Sequence, residues 1–159
     1  MPPVNDHFPM ANKFWIVTIS QDNLESAIEH GLIGLPTKRK YYIESMTESD
    51  TIVFYISKKR SGYYDRNGIV SDFGPIAKIT GPAFHSNELI WKSRFREIYP
   101  WRRTISLVLN KRISARNIIS RLTFIHNKRR WGLYFIQGAR EITPEDYQTL
   151  FDSIARQGR

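Results

Sequence analysis

Residues 50–82, DTIVFYISKKRSGYYDRNGIVSDFGPIAKITGP, decide the fold class. Asp50 to Lys59 are rich in β-branched and aromatic side chains, which suit a pleated, half-buried surface and predict a strand. Asn67-Gly68 is a turn signal, because both residues tolerate the positive φ of tight connections. Gly68 to Pro82 then reads as a second strand, interrupted at Gly74-Pro75, since proline cannot donate to a strand ladder. Two strands joined by a short connection form a hairpin or meander.

Working outward, KFWIVTIS (Lys13 to Ser20) is another strand, and QDNLESAIEHG places Leu24, Ala27 and Ile28 on one helical face before stopping at Gly31. Leu32 to Tyr42 carries glycine, proline and three successive cations, Lys38, Arg39 and Lys40, and reads as a surface loop. From Trp91, WKSRFREIYPWRRTISLVLNKRI alternates apolar and cationic residues, which predicts a bent strand pair broken at Pro100 with one basic face. Ser114 to Leu122 predicts a short helix capped by Ser114. Thr143 to Gln157 predicts a closing helix, with Thr143 as cap, Pro144 at the first position, Asp146 near the third, and Tyr147, Leu150, Phe151 and Ile154 as its apolar stripe. Strands outnumber the short, scattered helices. The expected class is α+β, a strongly bent sheet or small barrel with peripheral helices, and a doubly wound parallel sheet fits poorly.

With 159 residues, 41% of them hydrophobic, the chain has the length and core content of one ordinary domain. The expected organisation is a flexible leader over residues 1–12, rich in proline, and a single domain over 13–156. The absence of an apolar run of about eighteen residues and of a signal-peptide pattern argues for no membrane association and a cytoplasmic protein. The lack of cysteine excludes disulfides and thiolate chemistry. Four histidines, His7, His30, His85 and His126, show no HxxxH or HxH spacing, so no metal is expected. Neither GxGxxG, GxxxxGK[ST] nor GxSxG occurs, and no cofactor is expected.

The net charge of +9 points to a polyanionic partner, of which nucleic acid is the commonest inside a cell. FIHNKRRWGLYF (Phe124 to Phe135) sets Lys128, Arg129 and Arg130 among aromatic residues. Lys92 follows Trp91, Arg102 follows Trp101, and Arg130 precedes Trp131. Interleaving of this kind is what base stacking with phosphate pairing requires. The plainer reading is that each aromatic fills the core. Two further readings compete with base recognition. One is a basic docking module for RNA or an acidic protein without base readout. The other is a nuclease-type enzyme using His126 as acid or base beside Lys128 or Arg129.

The blocks FWIVTIS, GLPTKRK, SDTIVFYIS, GPIAKITG, WKSRFREIYPWR and LTFIHNKRRWGLYFIQGAREITPEDYQTLF, in this order, resemble the EVE domain. That family has the PUA-like fold and is related to the YTH and ASCH domains. The resemblance covers about residues 13–156. It implies a small bent β-barrel with a pocket for a base, recognising modified bases in RNA or in single-stranded or flipped-base DNA without chemistry on them. Trp15, Tyr55, Trp91, Trp131 and the segment Ile33, Gly34, Leu35, Pro36 would line or border the pocket. Lys38, Arg39, Lys40, Lys92, Arg94, Lys128, Arg129 and Arg130 would meet phosphates. The sequence departs from the family pattern in two places. Leu32-Ile33 precedes Gly34 where relatives carry a tryptophan, which gives up a broad stacking face. Ser49 stands where relatives carry glycine before Asp50.

Overall fold

The computed structural model describes residues 12–61, 66–93 and 98–157. The expected leader, residues 1–12, lies outside them except for Asn12. One curled sheet contains strands β1 (Phe14–Ile19), β2 (Leu32–Leu35), β3 (Thr51–Lys58), β4 (Ile69–Ile79), β5 (Phe84–His85), β6 (Trp101–Leu109), β7 (Ile113–Ser114) and β8 (Ala139–Ile142). Around it lie helices α1 (Gln21–His30), α2 (Lys40–Ser45) and α3 (Pro144–Gln157). The strand order is β2-β6-β4-β3-β1-β8, with β5 beside β6 and β7 beside β4. β1 and β3 run parallel and every other pair is antiparallel. This is an α+β half-barrel, as the strand-rich pattern predicts.

Both faces of the sheet are covered, so β3 is buried without alternation from Thr51 to Ile56. Inside the curl, Trp15, Val17, Phe54 and Ile56 pack with Leu24 of α1, Ile33 and Leu35 of β2, and Ile43 of α2. Outside it, Ile16, Val53, Tyr55 and Phe73 pack with Phe135 and with Leu150 and Ile154 of α3. Asp50 ties the start of β3 to β1. Its carboxylate accepts from the Lys13 and Thr47 N–H groups (both 2.9 Å), the Thr47 hydroxyl (2.8 Å) and the Trp15 indole N–H (3.0 Å). Burial opposes ionisation of Asp50, but these donors together outweigh it and hold its pKa below the ordinary carboxylate value. Ser49, in the glycine position of the resembling family, has a φ of 72°, the left-handed region where glycine is at ease.

Several expectations are corrected. Leu32 to Tyr42 is not a loop: it holds β2, a 3₁₀ turn (Thr37–Arg39) and the start of α2. A four-residue edge strand between Gly31 and Pro36 is too short to show periodicity, and its pairing with β6 comes from residues about seventy positions away. From Trp91 to Ile113, the described residues before Pro100 form no strand; β6 starts at Trp101. The basic face expected there does not include Arg102 and Arg103, which are 1% and 7% exposed. Arg103 donates to the carbonyls of Ile43, Gly81 and Met46 (2.8, 2.9 and 2.6 Å) and so fastens α2 to the sheet. The helix expected over Ser114 to Leu122 is two 3₁₀ turns, Ala115–Asn117 and Ile119–Arg121, with no cap bond from Ser114. Ile118, between the two turns, and Ile119 are both buried against the outer cluster. β4 continues through the cis Gly74-Pro75 peptide. Gly74 has a φ of 109°, and a Cβ there would lie 2.2 Å from the Lys111 carbonyl oxygen. The closing helix is as predicted, except that Asp146 is buried and accepts from the Thr123 N–H and hydroxyl (2.9 and 2.6 Å).

Candidate nucleic-acid interface

The half-barrel does not close. Its edge strands β2 and β8 approach across a seam: a Cβ on Gly138, just before β8, would lie 3.4 Å from Leu35 of β2. Arg39 donates to the Ile136 carbonyl (3.3 Å) and Tyr42 to the Gln137 side chain (2.7 Å), so two side chains pin the seam. Beside these pins lies a cavity of about 350 Å³, walled by Val17, Ile33, Leu35, Pro36 and Trp91. Its volume falls within the roughly 300–1,000 Å³ of ligand sites.

Trp91 makes one wall because the chain holds it from three directions. Its ring lies against Gly34, where a Cβ would meet Cζ3 at 2.5 Å, Cη2 at 2.8 Å and the Tyr99 carbonyl oxygen at 2.8 Å, so no side chain larger than hydrogen fits. The Arg102 guanidinium sits 5.0 Å from the ring centre. It donates to the carbonyls of Tyr99 (3.1 Å), Ile98 (3.3 Å) and Glu88, which gathers the loop on either side of the indole. Burial lowers the Arg102 pKa, opposed by the Glu88 carboxylate. On the third side, Asn23 of α1 exchanges two hydrogen bonds with the Lys92 backbone (2.8 and 2.9 Å). The Trp91 indole N–H is buried with no acceptor among the described residues.

Two cationic lips flank the cavity. Lys38 and Arg39 line it from the turn after β2, and Lys58 lines it from the end of β3, followed by exposed Lys59 and Arg60. Asp22 at the start of α1 anchors this second lip by accepting from the Ser61 N–H (3.1 Å). Among the described residues, the lining contains no carboxylate and no histidine. No group of three potential metal ligands exists among the described residues, and no described helix is long and apolar enough to cross a membrane.

The structure brings Ile33, Gly34, Leu35, Pro36, Trp91, Lys38 and Arg39 together at this cavity. It does not bring Trp15, Tyr55 or Trp131 there. Trp15 is 3% exposed and its N–H is committed to Asp50. Tyr55 stacks on Phe135 at 4.2 Å on the outer face, and Trp131 meets Tyr55 edge-on at 6.1 Å. Lys40 covers the Trp101 ring at 4.2 Å and pairs with Glu44 at 3.8 Å. Lys92 is exposed beside the Trp91 wall, and Arg94 lies outside the described residues. Lys128 donates to the Leu122 carbonyl (2.7 Å), whereas the exposed Arg129 and Arg130 side chains have no partner among the described residues. Sequence reading missed Asn23, Lys58, Tyr99 and Ile136. Only Lys58 left a signal, as the first cation of the Lys58-Lys59-Arg60 run after a strand.

No family model matches the chain. It is similar to the UPF0310 protein PH1033 of Pyrococcus horikoshii, at 27% identity over 140 residues, covering 86% of this chain and 95% of that one. Among solved structures it is similar to the YTH domain of the Zygosaccharomyces rouxii MRB1 protein in complex with N6-methyladenosine RNA. The TM-score is 0.59 at 12% identity, covering 93% of this chain and 90% of the other. A complex of the YTH domain-containing protein mmi1 with RNA matches with a TM-score of 0.60 at 10% identity, covering 93% and 87%. At such identities the likeness establishes the fold: this chain adopts the curled mixed sheet of the YTH domains.

Proposed function

We propose that this chain is a non-catalytic nucleic-acid-binding domain of the EVE type, a single domain over residues 13–156, that seats one base in the seam cavity. The observation that carries this reading is the pairing of an aromatic wall, Trp91, with two lips of cations and, among the described residues, no carboxylate in between. A base supplies the flat apolar body and its flanking phosphates supply the charge. A base must be unstacked before such a cavity can receive it, which costs least in single strands and loops, so RNA or single-stranded or flipped-base DNA is the partner. The two YTH neighbours solved with RNA support RNA as the first choice. The cavity offers no described carboxylate or histidine to move a proton, which favours recognition over chemistry.

The test is binding of the full chain to matched single-stranded RNA and DNA oligonucleotides, with and without N6-methyladenosine, at two salt concentrations. A base-dependent difference that survives high salt, and an affinity loss of about 1–3 kcal/mol in Trp91→Ala, are expected. Binding that is blind to base and modification and vanishes with salt would leave only a basic docking surface.

A further inference from the structure

We propose that the Tyr41–Tyr42 pair at the start of α2 is a second base subsite, taking the nucleotide next to the one in the seam cavity. This rests on the base-seating reading above. Tyr41 is 60% exposed, and its ring centre lies 4.1 Å from that of Tyr42 with the planes tilted by 36°, so one side of the ring is backed while most of the residue is open to solvent. The covering ring is fixed, because the Tyr42 hydroxyl donates to the Gln137 side chain (2.7 Å). A ring backed by a pinned ring has less freedom to lose when a base stacks on it, which favours a stacking platform.

Position and charge name the occupant. Tyr41 follows Lys38 and Arg39, which line the cavity; two Cα steps place its Cα within about 7.6 Å of that of Arg39. Ile136 lines the same cavity, is 68% exposed, and its carbonyl receives Arg39. The exposed Tyr41 ring and the exposed Ile136 side chain therefore belong to segments that adjoin the cavity and its cations. The nearest acid on α2, Glu44, is countered by Lys40 at 3.8 Å. A polyanion carrying flat apolar groups at regular intervals, a single-stranded nucleic acid, matches this sequence of surfaces.

The probes are a five-adenosine single-stranded RNA, with and without N6-methylation of the central base, and adenosine 5′-monophosphate. They are titrated against the intact wild-type chain, Tyr41→Ala, Tyr41→Phe and Trp91→Ala. Tyr41→Ala should bind the pentamer roughly 5- to 150-fold more weakly. Tyr41→Phe should stay within about twofold, since the stacking face is kept. Neither should change binding of the mononucleotide or the salt slope. Unchanged pentamer binding by Tyr41→Ala, with Trp91→Ala impaired, would overturn the subsite while sparing the cavity, and would leave Tyr41 to a protein contact. A loss in Tyr41→Phe equal to that in Tyr41→Ala would overturn stacking. Impairment in Tyr41→Ala with a silent Trp91→Ala would instead sink the cavity reading and with it the placement of Tyr41 beside a seated base, leaving base stacking on Tyr41 alone. Because Tyr41 is largely exposed, its melting temperature should match the wild type, which separates binding from folding.

Discussion

Two regions of this molecule look alike in sequence and differ in space. Residues 124–135 and residues 91–103 both interleave aromatic residues with cations. In the first, Phe135 is buried and packs on Tyr55 and Phe73, Phe124 and Trp131 lean on the same cluster, and the cations are exposed, with Lys128 turned back onto the Leu122 carbonyl. In the second, the cations are the interior groups: Arg102 and Arg103 are buried and gather backbone carbonyls, and Trp91, itself 8% exposed, forms a wall of the seam cavity. Alternation of aromatic and cation thus records that two faces differ, not which face meets a ligand. A guanidinium can be an internal fastener when carbonyls surround it, because its five donors need acceptors more than they need a counter-charge.

The sharpest way to break this contrast is to remove an aromatic from each region. Phe135→Ala should cost about 3–5 kcal/mol of stability in chemical denaturation while the folded fraction keeps its base discrimination. Discrimination lost without destabilisation would place the binding surface in the 124–135 segment. Next in size, Gly34→Ala must displace the Trp91 indole or the Tyr99 carbonyl, and should weaken base-dependent binding by about 1–3 kcal/mol. Its effect should not add to that of Trp91→Ala in a double-mutant cycle, since both remove one wall; additivity would mean that Gly34 acts elsewhere. A smaller effect, uniform across sequences, is expected for Arg129→Ala with Arg130→Ala: the slope of affinity against salt should fall by about 2. An unchanged slope would leave the phosphate path to the seam lips alone.

The last contrast appears only in acid. The folded-state pKa of Asp50 is depressed, so its stabilisation is complete above the unfolded value of about 3.9 and is lost as pH falls through the folded one. Melting temperature should therefore be level near neutrality and drop below about pH 4. Asp50→Asn should be less stable at neutral pH and show a shallower drop. An equally steep drop in that variant would assign the acid sensitivity to other carboxylates.

Much of the fold was legible along the chain. β1, β3 and α3 carry their own signals, namely β-branched runs and a Thr143-Pro144-Asp146 start, which depend only on neighbours in sequence. Part of the cavity's lining could be named along the chain, since Ile33, Gly34, Leu35, Pro36, Lys38 and Arg39 border it, and Gly34 has a steric reason there. Trp15 and Tyr55 could not be placed from sequence, since an aromatic on a doubly covered sheet has two interiors to choose between, and Trp131, on a 3₁₀ turn, packs on the outer cluster through contacts distant in the chain. The strand-rich class, the closing helix and the cationic excess can be read along the chain, because propensity, capping and charge are local or additive quantities. The tertiary structure alone decided that a four-residue segment becomes the edge strand β2, that Arg102 and Arg103 turn inward, and that Trp91 rather than Trp131 borders the cavity. Those outcomes depend on which distant carbonyls and ring faces meet across a curled sheet, and no short stretch of chain encodes that geometry.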